Sequence, residues 1–313
     1  MNIFRQLWIS TQVLPKAASG FLGKWTAVLC WAGGSLSVGV WGTPGQAQAL
    51  FHAPVPNPSL MQAQALQLAS DAIRLAQFGQ VNEALTRLEL ATELVPNSAE
   101  LQVATGSIYL EIGDYRQAVA ALQKGRELSP NDPAVLLTLG AAYLRQGSYF
   151  AAVEALEKGL SLEPSNADGH FQLGNAFLLR GEPEQAIAAF EEAISLNDQF
   201  WPAINNIGLL EYEAGNLEAA IERWQAAIAI NPEAAEPKLA LATAYYVQGQ
   251  QSEAEALGAE AIQLDPEYAK VQVLRDNLWG KRLMQDVQVL LRTRVVRDAY
   301  AQAAAAQLSE STQ

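Results

Sequence analysis

Residues 99–132 read AELQVATGSIYLEIGDYRQAVAALQKGRELSPND, and residues 133–166 read PAVLLTLGAAYLRQGSYFAAVEALEKGLSLEPSN. Laid one over the other, they superpose Gly106 on Gly140, Tyr109 on Tyr143, Gly113 on Gly147, Ala118 on Ala152 and Pro130 on Pro164, each pair 34 residues apart. Working outward, the same interval links Gly79, Gly113, Gly147, Gly181, Gly215 and Gly249. It also links Ala84, Ala118, Ala152, Ala186, Ala220 and Ala254. A third series, Pro96, Pro130, Pro164, Pro232 and Pro266, holds Asp198 where a proline is missing. Three registers agreeing over six units make this a tandem array.

Each landmark has a physical reading. Ala, Leu, Glu and Gln dominate the array and strand signals are scarce, so the units are helical. Gly106, Gly140, Gly174 and Gly208, with Ala72 and Ala242 in the outer units, sit in mid-helix, where a missing side chain lets the partner helix come close. The Gly79 series ends the first helix, where a left-handed residue is needed. The alanine series lets the second helix pack tightly, and the prolines force a turn. Asp198, in LNDQF, is expected to serve the turn or to cap the next helix.

On these residues the chain resembles the tetratricopeptide repeat (TPR) family over about residues 65 to 268. The bulky residue three positions after the small one is Leu75, Tyr109, Tyr143, Phe177 or Tyr245, and repeat five departs with Glu211 followed by Tyr212. The resemblance implies an all-α, right-handed superhelical solenoid of six helix-turn-helix repeats, at 65–98, 99–132, 133–166, 167–200, 201–234 and 235–268. Capping helices are expected at 269–307 and a disordered tail at 308–313. Arg275-Asp276 replaces the expected Leu-Gly after Pro266, so Tyr268 to Trp279 reads as a capping helix, followed by one helical pattern over 281–307 with Leu283, Val287, Leu290 and Leu291 on one side.

The N-terminus has a different character. Arg5, Lys16 and Lys24 precede an uncharged run from Trp25 to Trp41, and Ala47-Gln48-Ala49 completes the pattern of a cleavable signal at 1–49. The run is shorter than the ~20 residues of a spanning helix. Cys30, the only cysteine, lies inside it behind Ala27-Val28-Leu29, which lacks the small residue of a lipoprotein signal. Pro54, Pro56 and Pro58 predict an extended spacer over 50–59, within a 50–64 linker and helix start.

The net charge is −13. Removing +3 for residues 1–49 and +3 for 269–313 leaves −19 on residues 50–268, an acidic, solvated array unsuited to nucleic acid. No phosphate loop, dinucleotide fingerprint, HExxH or G-x-S-x-G is present. The two histidines, His52 and His170, lie in the spacer and in a repeat. No catalytic residue, metal or cofactor is therefore expected, and His170 reads as a packing residue.

In proteins that this chain resembles, the first helix of each repeat lines an inner groove. The matching positions are Phe171, Gln172, Asn175 and Leu178 in repeat four, Asn205, Asn206, Leu209 and Tyr212 in repeat five, and Leu239, Thr243 and Tyr246 in repeat six. Amides suit capture of a peptide backbone and aromatics add contact area. The Lys, Arg and Asn clamp with which some TPR domains hold a chaperone's terminal carboxylate is missing here. The expectation is a non-enzymatic scaffold or assembly factor that binds a client peptide or helix. Its signal resembles those of TPR proteins exported by photosynthetic bacteria to the periplasm or thylakoid lumen. The alternatives are a membrane-attached organiser, held peripherally by its N-terminus or basic C-terminal helix, and a recruitment subunit of an enzyme.

Overall fold

The computed structural model describes residues 57–310. The expected signal at 1–49 and most of the proline-rich spacer lie outside the described residues. From Gln62 onward the chain forms one compact unit. Among the described residues there are fifteen α-helices and one 3-10 turn, with no strand. Six helix pairs come first: α1 Pro58–Gln77 and α2 Val81–Leu94; α3 Ala99–Glu111 and α4 Tyr115–Leu128; α5 Pro133–Gln146 and α6 Tyr149–Leu162; α7 Ala167–Arg180 and α8 Pro183–Leu196; α9 Trp201–Ala214 and α10 Leu217–Ile230; α11 Ala235–Val247 and α12 Gln251–Leu264. The 3-10 turn Pro266–Ala269, α13 Val271–Asp276, α14 Lys281–Leu291 and α15 Arg294–Glu310 follow.

The pairs arise from local chemistry repeated at each period. The six glycines from Gly79 to Gly249 all have φ between 74° and 93°, the left-handed region that closes a helix without a Cβ penalty. Side chains start several helices: Ser98, Asp114, Asp132 and Asn166 each accept a bond from a first-turn N–H. At repeat five Asn197, not Asp198, accepts from Gln199 N at 3.1 Å, while Asp198 bonds only the Gln199 side chain. Phe200 precedes α9 with no side-chain cap. The Asx turn thus forms one residue earlier than expected, because Asn197 is the residue placed two positions before a free N–H.

Within a pair, packing follows a trade of volumes. A Cβ on Gly106, Gly140, Gly174 or Gly208 would meet Leu122, Leu156, Phe190 or Trp224 at 2.4–2.6 Å. The side chain of the second helix fills the notch left in the first. In repeat six the small residue is Ala242, and Gly258 stands one period after Trp224. Gly174→Ala improves helix propensity by up to about 1 kcal/mol, yet it drives a methyl into the rigid Phe190 ring. A net loss of about 1–3 kcal/mol is expected from overpacking, read as a lower urea midpoint. Neighbouring repeats are further joined by Gln123 Nε2 donating to Tyr143 Oη and Gln225 Nε2 donating to Tyr245 Oη, both at 2.9 Å.

Both ends differ from the sequence reading. Helix α1 begins at Pro58, inside the expected spacer: proline is tolerated in a first turn, and Asn57 Oδ1 accepts from Ser59 N at 3.1 Å. The 266–279 stretch is a 3-10 turn and a six-residue helix rather than one capping helix, ended by Leu278 at φ 65°. The single pattern over 281–307 breaks at Arg292 and Thr293, and α15 runs to Glu310, into the segment expected to be disordered. The break lets the two helices take different neighbours: α14 packs against α9, α11 and α12, and α15 chiefly against α12.

Candidate binding surface on the first helices

The first helices of the repeats stack in one layer, with α3 touching α5 and α5 touching α7. Along repeats two to four this layer keeps half-buried residues at the surface, among them Val103, Ser107, Leu110, Ala141, Gln172 and Leu178. Along repeats five and six the same register is buried, because α14 lies across α9 and α11.

The expected groove residues therefore divide. Gln172 and Leu178 are half-buried on the layer. Phe171 is a core residue, its ring 5.7 Å from Phe190 and 5.2 Å from Phe200; a side chain of that length at this position reaches across to the second helix and the next repeat. The three asparagines bond one another instead of presenting free amides. Asn206 Nδ2 donates to Asn175 Oδ1 at 2.9 Å, and Asn205 Nδ2 donates to Asn206 Oδ1 at 3.3 Å. Leu209, Tyr212 and Leu239 are buried in one apolar cluster with Leu283, Val287 and Leu290 of α14, and Tyr246 packs against its edge. Thr243 is fully buried and its hydroxyl donates to Leu239 O at 2.8 Å. Tyr212 takes the space beside Trp224, ring centroids 5.8 Å apart, which settles the departure at repeat five.

Polar contacts pin α14 at its N-terminal end. The Glu213 carboxylate accepts from Arg282 N at 3.1 Å and Leu283 N at 2.8 Å, so a residue of repeat five caps a helix 70 positions away. Gly280 leaves room for this cap: a Cβ would fall 2.2 Å from Glu213 Cδ and displace the carboxylate. Tyr212 Oη donates to Asp286 Oδ2 at 2.6 Å, and Arg282 donates to Tyr212 O at 3.1 Å with its guanidinium 5.0 Å over the Tyr212 ring. Burial first, then the hydrogen bond to Asp286, hold the Tyr212 phenol well above its ordinary pKa, so it stays a donor.

Beneath the cap lies a carboxyl that sequence reasoning passed over. Glu236 of α11 is 5% exposed. Trp279 Nε1 donates to its Oε1 at 3.0 Å, Tyr268 Oη donates to its Oε2 at 3.5 Å, and Asn205 bonds it from repeat five. Burial pushes its pKa up to about 7, and the three hydrogen bonds pull only partly against that. Tyr268, buried beside this carboxyl, is itself shifted strongly upward. Nearby, the buried Lys238 is ion-paired with Glu260. The signal that could have disclosed the cap is Gly258: its Cβ would lie 3.2 Å from Leu290 and 3.3 Å from Val296, which take the volume that Trp224 or Phe190 fills in earlier repeats.

Elsewhere there is little chemistry. A cavity of about 330 Å³ on the second-helix side is lined by both signs of charge, Arg126, Lys158, Glu127 and Glu154. Among the described residues no group of three or more His, Cys, Asp or Glu could hold a metal ion. His170 Nε2 donates to Pro164 O at 2.9 Å, a structural bond at the base of α7. No helix among the described residues is long and apolar enough to cross a membrane.

Comparison with known proteins agrees with this geometry. Residues 137–203 match a family model described as tetratricopeptide repeat, and residues 106–147 and 208–249 match a second described as TPR repeat. No curated protein sequence matches the chain. Among solved structures, pilF of Pseudomonas aeruginosa is 19% identical, with 73% of this chain and 98% of that one covered at a TM-score of 0.60. The hetero-tetramer Cut9-Hcn1 of the APC/C is 18% identical over 71% of this chain and 45% of that one, at 0.58. MamA of Desulfovibrio magneticus RS-1 is 23% identical over 55% and 97%, at 0.50. At these identities the likeness is one of fold. The matched segments are tetratricopeptide repeats, and the described residues adopt the TPR solenoid, in general a non-catalytic scaffold for protein interaction.

Proposed function

We propose that this chain is a non-enzymatic scaffold or assembly factor that holds a client polypeptide on the first-helix layer of repeats two to four. The observation that carries the reading is the half-buried row Val103, Leu110, Ala141, Gln172 and Leu178, contiguous with a stretch of the same layer that already seats an amphipathic helix. A surface of small apolar patches interrupted by amides and hydroxyls gives contact area and backbone hydrogen bonds together. The site of action we infer is outside the cytoplasmic membrane, in a periplasm or thylakoid lumen, on the strength of the signal-like residues 1–49.

Photo-crosslinking tests it. With benzoyl-phenylalanine at Gln172 or Leu178, exported protein is expected to trap a discrete client, while the same group at exposed Glu157 on the second-helix side traps none. Equal labelling from both sides would refute a first-helix binding surface. The apolar side of α14, Leu283, Val287 and Leu290, is 0% exposed and is turned to repeats five and six.

A further inference from the structure

Helix α14 behaves toward repeats five and six as a bound ligand would. It buries Leu283, Val287 and Leu290 in one apolar cluster with Leu209, Tyr212 and Leu239; its first N–H groups are capped by Glu213 of repeat five; and Asp286 accepts from Tyr212. This is how a helix is recognised in a groove, by an apolar seam at i, i+4 and i+7 with polar contacts fixing register and direction. The geometry points to the inner layer of repeats five and six as a helix-binding site. It accepts from a partner an amphipathic helix with apolar residues at i, i+4 and i+7 and a carboxylate at i+3, in competition with α14. The inference rests on the scaffold reading and extends it to a second, gated stretch of the same layer.

Three features favour an exchangeable helix over a permanent cap. The two helices that receive α14 are unusually polar for a closed core: Asn205, Asn206 and Tyr212 of α9 and Glu236 and Thr243 of α11 are all buried, and Asn205 Oδ1 has no hydrogen-bond partner. Burying such groups is unfavourable, whereas a surface that also meets water has reason to keep them. Next, α14 is bounded by places where the backbone already departs from helix, Leu278 at φ 65° with Gly280 on one side and Arg292 with Thr293 on the other. Finally, α15 keeps its own packing on α12, so α14 can lift without releasing the end of the array. A partner residue at i+7 would take the place of Leu290, which stands 3.2 Å from where a Cβ on Gly258 would lie.

The test uses the full chain and a labelled synthetic peptide of residues 281–293. Leu283→Asp with Val287→Asp should expel α14 and leave the site vacant. In fluorescence anisotropy the peptide is expected to bind this variant at least about tenfold more tightly than the unaltered chain. Adding Glu213→Ala should weaken binding by about tenfold, as for loss of a charge-assisted pair of hydrogen bonds. A peptide carrying the same two Asp substitutions should not bind. A folded variant with no saturable binding, or binding indifferent to Glu213, overturns the proposal. Should the variant not fold, hydrogen exchange on the unaltered chain decides: α14 amides exchanging well ahead of α9 and α11 support it, and equal protection overturns it. Crosslinking at Gln172 reads the open stretch of the layer independently of either result.

Discussion

Lowering the pH from 8 to 5 is expected to stabilise the folded chain by about 2–3 kcal/mol through one residue, Glu236. Its carboxyl titrates near 7 in the fold against an ordinary 4.5, because burial disfavours the ion more than Trp279, Asn205 and Tyr268 favour it. Between those values the folded chain holds a proton that the unfolded chain has released. Stability from this group is therefore fully present below about 4.5 and is lost as pH rises to about 7; across that window each pH unit is worth about 1.36 kcal/mol. An acidic chain also gains on acidification by shedding self-repulsion, so the measurement is a comparison of urea unfolding across pH for the unaltered chain and Glu236→Gln. The substitution should flatten the dependence by the stated amount and raise stability at pH 8. A dependence unchanged by Glu236→Gln would mean that the carboxyl does not titrate in this range. Since Glu236 bridges repeats five and six to Trp279 and Tyr268, the same substitution should tighten the docking of the C-terminal segment at neutral pH.

The second large effect is expected from Trp224→Ala, about 3–5 kcal/mol lost, measured by urea or thermal unfolding. Trp224 is 0% exposed, is packed beside Tyr212, and fills the notch at Gly208 so closely that a Cβ there would stand 2.6 Å from its Nε1. That nitrogen is buried without a hydrogen-bond partner. Trp224→Phe should thus cost less than its loss of volume suggests, since it also removes an unsatisfied donor. The pair is coupled: Gly208→Ala should destabilise the unaltered chain and be nearly neutral beside Trp224→Ala, a departure from additivity that a double-mutant cycle reads directly.

What could be read in the sequence was whatever depends on neighbours a few residues apart. Gly147 closes a helix, Pro130 ends another, and Gly140 admits Leu156, and each repeats because the 34-residue unit repeats. Asn197 and Asp198 mark the limit of that resolution: either residue type can make the turn, and one position of backbone geometry selects between them. The binding layer was less legible. Inward register alone did not separate Phe171, long enough to join the core, from Gln172 beside it. Nor could register foresee that Asn175, Asn205 and Asn206 would bond one another. The seat of α14 depends on Glu213 meeting Arg282 and Leu283, a relation that no local pattern encodes, and its end at Arg292 and Thr293 carries neither glycine nor proline. Gly258, a missing large side chain in an otherwise regular column, was the available sign that some later segment supplies the volume.

The Glu213 cap also fixes where an array of this kind can grow. A duplicated unit inserted ahead of residue 201 would leave repeats five and six, and everything folded onto them, in their present relation. A unit inserted between residues 234 and 235 without its own counterparts of Tyr212 and Glu213 would carry these residues a whole unit away from Arg282, Leu283 and Asp286, leaving the terminal segment without its anchors. Lengthening is therefore open toward the amino end, while next to the last repeat it is open only to a unit that brings the same tyrosine and glutamate, so that the last two repeats act as a fixed terminus onto which a variable number of others can be threaded.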